Sequence, residues 1–175
     1  MVGLVSLINK HKDIKLWLVL DNIRSAYNVG AIMRTADGSG IAGLVLLGIT
    51  PNPDNQLDKI HKTALGAEKH VPYIIYKDVK TFISELKDAN LISNFGALEL
   101  TNNSCNLFSW NPKSYDLPFF IAVGHELLGV SSQLLVASEF LLEIPMNGFK
   151  ESLNVAESSS ILIYEFYRKY KKLGC

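Results

Sequence analysis

Three stretches of the sequence hold polar side chains that can bind a ligand or take part in chemistry. The first, Asn28–Ala36 (NVGAIMRTA), carries an amide at Asn28 and a guanidinium at Arg34. Asparagine is a good cap for a helix N-terminus, and the planar fork of arginine donors suits a phosphate or a hydroxyl group. The stretch fits a ligand-binding helix, and it fits equally well a capped helix with an arginine on its surface.

The second stretch, Gly124–Gly129 (GHELLG), directly follows the apolar segment FFIAV. A strand that runs straight into glycine lets a ligand approach the backbone closely. The carboxylate of Glu126 could bind a ligand, orient a base or cap a turn. A plain strand-to-helix turn with a solvated glutamate explains the same residues, so the pattern leaves both interpretations open.

The third stretch, Ile144–Ala156 (IPMNGFKESLNVA), is irregular between a predicted strand and a helix that we expect to begin near Ser152. Pro145 and Gly148 limit regular pairing, which leaves backbone N–H and C=O groups free to read an adenine edge if they line a pocket. Ser152 and Asn154 fit helix capping. The start of a helix does not need this irregularity, so we favour a binding role.

The elements that must position these stretches follow from the apolar pattern. The predicted strands are Leu16–Leu20, Leu44–Leu47, Tyr73–Tyr76, Asn90–Ser93, Phe119–Val123 and Phe140–Ile144. The predicted helices are Asn28–Asp37, Val79–Lys87, Ser131–Ala137 and Leu153–Lys172. Residues 102–118 are polar and rich in turn formers. Strands that alternate with helices predict an α/β fold with a mostly parallel sheet flanked by helices.

Composition narrows the class of protein. The chain has 175 residues, of which 48% are hydrophobic and 19% charged, values that predict a folded domain rather than disorder. Its 17 basic and 17 acidic residues cancel, which counts against binding nucleic acid through overall charge. Two local basic clusters remain candidates for such contacts, one at residues 10–15 and one at residues 168–172.

The ends of the sequence and its cysteines bear on location and metals. No apolar run approaches the roughly 20 residues that span a bilayer. The N-terminal apolar residues precede the charges, the reverse of a signal peptide, so we expect a cytoplasmic protein. Cys105 and Cys175 lie far apart without metal-ligand spacing, and we expect free thiols and no metal site.

One motif match fails in its context. Gly38–Gly43 (GSGIAG) fits G-x-G-x-x-G, the only support for a small-molecule enzyme of the dinucleotide-binding type. That fingerprint needs a strand before it and a helix after it, and here the order is reversed. We therefore expect the glycines to end a helix, because glycine tolerates a positive φ.

Taken together, the three stretches resemble the SpoU (TrmH-like) family of SPOUT methyltransferases. The family motifs run approximately as N-x-G-x-x-x-R-T-A, G-x-E-x-x-G and I-P-M-x-G-x-x-x-S-L-N-V, and all three occur here in order. The resemblance covers about Leu16 to Arg168. Each motif alone is weak, but the ordered set is specific.

The resemblance implies a fold, a reaction and partners. It implies one SPOUT methyltransferase domain over residues 1–175, without a separate RNA-binding domain, whose C-terminal part forms a deep trefoil knot. It implies a homodimer with active sites at the interface. The implied reaction is S-adenosylmethionine-dependent 2′-O-methylation of a ribose in structured tRNA or rRNA, with no metal. A catalytically silent RNA-binding paralogue of the same fold is the alternative.

The resemblance also implies roles for individual residues. Carried over by motif, the cofactor contacts are Gly124, Ile144, Met146 and Leu153. The implied catalytic-site residues are Asn28, Arg34, Glu126, Ser152 and Asn154.

Chemistry refines two of these implied roles. A guanidinium is a poor base, so we expect Arg34 to stabilise the developing alkoxide and the nearby phosphate. The chain departs from the family at His125, where asparagine is common, and we assign that histidine no role as a general base.

Overall fold

The computed structural model describes residues 14–112 and 118–172, in which strands and helices alternate. The described strands are β1 (Ile14–Asp21), β2 (Ile41–Leu47), β3 (Tyr73–Tyr76), β4 (Phe95–Leu98), β5 (Cys105–Asn106), β6 (Phe119–Val123) and β7 (Phe140–Glu143). The described α-helices are α1 (Ala26–Ser39), α2 (Pro53–Ala64), α3 (Val79–Asp88), α4 (Ser132–Ala137) and α5 (Val155–Lys172). Short 3-10 helices cover Ala67–Lys69 and Ile92–Asn94.

The described strands form one parallel sheet in the order β3-β2-β1-β6-β4-β7-β5. Alternate side chains of β1 enter two different cores. Leu18 packs in the core with α1, α2 and α5, and Val19 packs in the core with α3 and α4. A strand buried on both faces must be apolar throughout, which explains the run LWLVL. The predicted parallel α/β sheet flanked by helices is confirmed.

The chain crosses over β7 at its carboxyl end. Leu142 of β7 pairs with Leu98 of β4 on one side and with Cys105 of β5 on the other. Residues 99–104 therefore pass from one flank of β7 to the other. The chain that leaves β7 at residue 144 starts beside this crossing.

The strand predicted at Asn90–Ser93 is wrong. Asn90 adopts a left-handed φ of 56°, and Leu91 N–H donates to Leu86 O, so these residues close α3. The strand lies at Phe95–Leu98 instead. Its Gly96 disfavours a strand by propensity, but a Cβ there would collide with the ring of Phe140. Packing between neighbouring strands therefore overrides the local preference.

Three further differences concern helices and loops. The polar helix α2 was not predicted from the sequence, although Asn52 and Asn55 form a capping box at its start. Strand β5 lies within residues 102–118, whose polar and turn-rich sequence did not predict a strand. Helix α1 begins at Ala26, because the Ser25 hydroxyl accepts from Asn28 N–H at 3.3 Å, so Asn28 is not the cap.

The glycines at residues 38–43 end a helix, as predicted. Gly40 has a φ of 72°, and its N–H donates to the carbonyls of Ala36 and Asp37. The strand that follows is β2, so the segment lacks the strand-turn-helix order of a dinucleotide site.

The two basic clusters have different outcomes. Lys10, His11, Lys12 and Cys175 lie outside the described residues. In the C-terminal cluster, Lys169 is buried and donates to the carbonyls of Leu107 and Trp110. Its ammonium group is therefore not available to bind a nucleic acid. Over residues 14–112 and 118–172, no helix is long and apolar enough to cross a membrane.

Candidate active site

A cavity of about 330 Å³ opens at the carboxyl ends of β4, β6 and β7. Its lining comes from segments 98–100, 123–129 and 143–158, which follow those strands. Open α/β sheets bind ligands at this edge, because loops diverge there and leave a crevice. The volume falls within the range of about 300–1,000 Å³ that is typical of small-molecule sites.

Gly124 lets the wall of the cavity form. A Cβ on Gly124 would collide with the backbone of Gly129 and Val130. Main-chain hydrogen bonds between His125 and Gly129, of 3.0 and 2.9 Å, close the loop that follows β6. The glycine is therefore required by close backbone packing, and the loop that it permits carries Glu126.

Glu126 joins the second motif to the first. Its carboxylate accepts from the side-chain amide of Asn28 at 3.1 Å and from the N–H groups of Arg24 and Ser25, each at 3.4 Å. Burial acts to raise the pKa of Glu126, but hydrogen bonds from backbone N–H groups and from Asn28 outweigh it and hold the pKa below its usual value. Glu126 is thus an anion at the start of α1, where the helix dipole favours negative charge.

Asn154 joins the third motif to the first. Its side-chain N–H donates to Asn28 Oδ1 at 3.4 Å, and its Oδ1 accepts from Ala156 N–H at 2.8 Å. Its carbonyl accepts from Ser158 N–H, so Asn154 caps α5, which begins at Val155 and not near Ser152 as predicted. The chain Asn154–Asn28–Glu126 brings the three motifs together.

Most of the residues implied by the resemblance meet at the cavity. Its lining includes Gly124, Glu126, Ile144, Met146, Ser152, Leu153 and Asn154. Asn28 does not line the cavity and reaches it through Glu126 and Asn154. The third motif therefore contributes both to the wall of the cavity and to the polar network.

Arg34 lies apart from this group. It is exposed on α1, does not line the cavity, and has no hydrogen-bond or ion-pair partner in the part of the chain that the structure describes. Its neighbour Thr35 faces α5, where its hydroxyl lies 3.0 Å from that of Ser160. Successive helical residues point about 100° apart, so Arg34 faces away from this contact.

His125 has a structural place in the loop. Its ring Nδ1 accepts from Leu127 N–H at 3.0 Å and from Leu128 N–H at 3.3 Å. An asparagine side-chain oxygen makes the same kind of turn. The departure from the family at this position therefore preserves a turn acceptor.

The cavity has an acidic character that the motifs did not predict. Glu99 accepts from Val130 N–H at 2.8 Å, and Glu143 accepts from the Ser104 hydroxyl at 2.5 Å. The glutamates that line the cavity are Glu99, Glu126, Glu143 and Glu151, and no described lysine or arginine lines it. The sequence did not single out Glu99 as a site residue, because it follows β4, and that strand was predicted at Asn90–Ser93 instead. The negative lining favours a cationic ligand.

The described residues contain no group of three or more His, Cys, Asp or Glu side chains arranged to hold a metal ion.

Residues 15–164 match the model of the SpoU rRNA Methylase family. The match includes all three polar stretches and the elements that carry them. The chain belongs to the SpoU rRNA methylase family. The family predicted from the motifs is confirmed.

Several relatives of this SpoU-family chain are informative. A Staphylococcus haemolyticus protein named for the TrmH family of tRNA/rRNA methyltransferases is 30% identical over 161 residues, which are 90% of this chain and 60% of that protein. The AdoMet-bound rRNA methyltransferase from Sinorhizobium meliloti is 26% identical with a TM-score of 0.79, over 93% of this chain and 59% of that one. A structure of an RNA 2′-O ribose methyltransferase is 25% identical with a TM-score of 0.74, over 91% and 57% of the two chains. The chain thus spans about 60% of the length of the curated relatives it matches.

Proposed function

We propose that this SpoU-family chain catalyses transfer of a methyl group from S-adenosylmethionine to a ribose 2′-hydroxyl in structured tRNA or rRNA. The observation that carries the proposal is the polar chain Asn154–Asn28–Glu126 beside the cavity. The relatives support the reaction class, since one is an AdoMet-bound rRNA methyltransferase and another is an RNA 2′-O ribose methyltransferase.

The cavity fits the cofactor in chemistry and position. S-adenosylmethionine supplies a methyl group already activated by its sulfonium. Its net positive charge suits the four glutamates of the lining. Gly124, Ile144, Met146 and Leu153 would hold it, because the segment between β7 and α5 has no regular pairing and leaves backbone groups for the adenine. This proposal needs no metal.

Glu126 and the two asparagines would position the reacting groups. The Glu126 carboxylate already accepts from three N–H groups, so its role is to fix the start of α1 and orient Asn28 rather than to remove a proton. Asn28 is held from both sides by Glu126 and Asn154. Alignment of a nucleophile with a bound methyl group is worth up to roughly 7–11 kcal/mol.

Arg34 would act in the cavity of a second copy of the chain. It lies outside its own cavity on an exposed face of α1, although its motif supplies Asn28 to the polar chain. A homodimer that packs this face against the partner's site would bring the guanidinium to the ribose. There it would stabilise the alkoxide and the adjacent phosphate as a donor.

We also propose the trefoil knot. Residues 99–104 cross β7 at its carboxyl end, and the chain that leaves β7 contributes Ile144 to Asn154 to the same cavity. Passage of that segment through the crossing would hold the cavity walls together without a disulfide. This supports a knotted arrangement, which periodicity in a sequence does not reveal.

Transfer of tritium from labelled S-adenosylmethionine to bulk tRNA and rRNA tests the function, followed by mapping of 2′-O-methyl sites. We expect transfer by the wild-type chain. Arg34→Ala should reduce transfer by 100-fold or more, on the order of the roughly 3–4 kcal/mol lost when a preorganised donor is removed. Calorimetry should show unchanged cofactor binding by this variant.

Arg34→Lys is the matched variant, because it keeps the charge and loses the fork of donors. Full activity of Arg34→Ala would refute its role. RNA binding by the wild-type chain without any transfer of label would instead support the catalytically silent paralogue.

A further inference from the structure

Glu99 is the strongest feature of the cavity that the three motifs leave without a role. It directly follows β4 and lines the cavity. Its Oε2 accepts from Val130 N–H at 2.8 Å. Within residues 14–112 and 118–172, its Oε1 has no hydrogen-bond or ion-pair partner. One oxygen is therefore anchored, and the other is available to a ligand.

The loop that follows β6 fixes the position of this carboxylate. Gly129 adopts a φ of 69°, and a Cβ there would lie 2.5 Å from Glu99 Oε2. The missing side chain of Gly129 leaves the space that the carboxylate occupies. Since Glu99 is already held by Val130, it loses little freedom when it accepts a ligand donor.

The order of strands indicates which part of the cofactor is near Glu99. In the sheet β4 lies between β6 and β7. The chain after β7 is the proposed adenine site, and Glu126 after β6 belongs to the polar chain where the methyl group must be presented. The ribose links the adenine to the sulfonium, so a cofactor that spans these two sites places its ribose at the end of β4.

We propose that Glu99 binds the ribose of S-adenosylmethionine, with Oε1 accepting a hydrogen bond from a hydroxyl of the ribose diol. The inference rests on the proposed function, because it assumes that this cofactor occupies the cavity. A carboxylate is a strong acceptor for a hydroxyl, and hydrogen bonds to a charged group are about twice as strong as neutral ones. Dinucleotide-binding folds recognise ribose with the same chemistry.

Calorimetry with S-adenosylhomocysteine and its 2′-deoxy and 3′-deoxy analogues tests this assignment. We expect the wild-type chain to bind at least one deoxy analogue roughly tenfold or more weakly than the parent compound, as for loss of a charged hydrogen bond. Glu99→Gln keeps an oxygen for Val130 N–H and removes the charge. In this variant the difference between the parent and that analogue should fall to about twofold or less.

Glu139→Gln is the matched control. Glu139 is exposed and does not line the cavity, so this variant removes one carboxylate elsewhere and should keep the wild-type preference for the diol. Equal binding of the parent and both deoxy analogues by the wild-type chain would overturn the proposal, whether or not Glu99→Gln folds. An undiminished preference in a folded Glu99→Gln variant would overturn it too.

A further ligand separates the ribose from the amino-acid part of the cofactor. Methylthioadenosine has the diol and lacks the amino group, so Glu99→Gln should weaken its binding as much as that of S-adenosylhomocysteine. Equal binding of methylthioadenosine by the wild type and the variant would overturn the ribose assignment. If the wild-type chain bound none of these compounds, the proposed cofactor itself would be refuted.

Discussion

At the residue scale, Asn28 links two side chains that are remote in sequence. It is 98 positions from Glu126 and 126 positions from Asn154, and it bonds to both. An amide can do this because it carries donors and an acceptor on one planar group. Ser25 caps the helix, so the Asn28 side chain is free for this bridge.

Substitutions of His125 test whether the second motif needs a side-chain hydrogen-bond acceptor at this position rather than one particular residue. His125→Asn should keep methyl transfer within about threefold, and His125→Ala should reduce it roughly tenfold, because Leu127 N–H and Leu128 N–H lose bonds worth about 0.5–1.5 kcal/mol each. Initial rates with labelled cofactor would measure this. Equal rates for the two variants would show that the turn acceptor does not matter.

The lowered pKa of Glu126 predicts a dependence of stability on pH. A group with a depressed folded-state pKa stabilises the fold above its unfolded pKa, and the effect is lost as the pH falls through the folded value. Denaturant midpoints of the wild type should exceed those of Glu126→Gln at pH 7, and the difference should disappear at strongly acid pH. A difference that is independent of pH would contradict an ionised, hydrogen-bonded Glu126.

At the element scale, the glycine of the first motif serves helix packing. A Cβ on Gly30 would collide with Thr63 Oγ1 and with the carbonyl of Ile60, both in α2. The absence of a side chain therefore allows α1 and α2 to approach closely. The same helix contains Gly38, where among the described residues a Cβ would meet only Tyr164 Oη at 3.5 Å, an ordinary contact.

These two glycines make a matched pair of substitutions. Alanine favours a helix over glycine by about 1 kcal/mol. At Gly30 the overpacking cost of about 1–3 kcal/mol exceeds this gain, so Gly30→Ala should lower the free energy of unfolding. Gly38→Ala should leave that free energy unchanged or raise it by up to about 1 kcal/mol. Urea denaturation would decide, and equal effects would contradict the close packing at Gly30.

At the scale of the whole molecule, the carboxyl ends of three strands create one cavity, and α1 presents different faces to it and to the surroundings. Asn28 faces the polar chain, whereas Arg34 lies outside the cavity. A single chain therefore does not assemble all the residues that the family motifs imply. The proposed homodimer would complete the set.

Subunit complementation tests this arrangement. Co-expression of Arg34→Ala with Asn154→Ala should restore activity, because a mixed dimer contains one site with both residues intact. Random pairing gives roughly a quarter of the wild-type number of sites. The rate of methyl transfer and the mass of the assembly would be measured together. Mixed dimers without any activity would show that Arg34 and Asn154 act in the same chain.

Much of the fold could be predicted from the sequence because its strands are buried on both faces. The continuous apolar runs LWLVL, LVLL and FFIAV are typical of strands in a covered parallel sheet, and they form β1, β2 and β6. Helix α2 escaped prediction because it is polar over most of its surface. Strand β4 was not predicted because its Gly96 disfavours a strand locally, and the reason for that glycine is its packing against the ring of Phe140.

The sequence by itself determined the family, because three ordered motifs are specific even where each alone is weak. It also pointed to the residues that line the cavity, since their types follow the ends of strands. Only the tertiary structure decided how they meet: Asn28 bridges Glu126 and Asn154, Arg34 stays outside, and Glu99 joins the wall. The reason is physical, because spacing along the chain records local backbone geometry, whereas a site joins side chains through the order of strands and the packing between them.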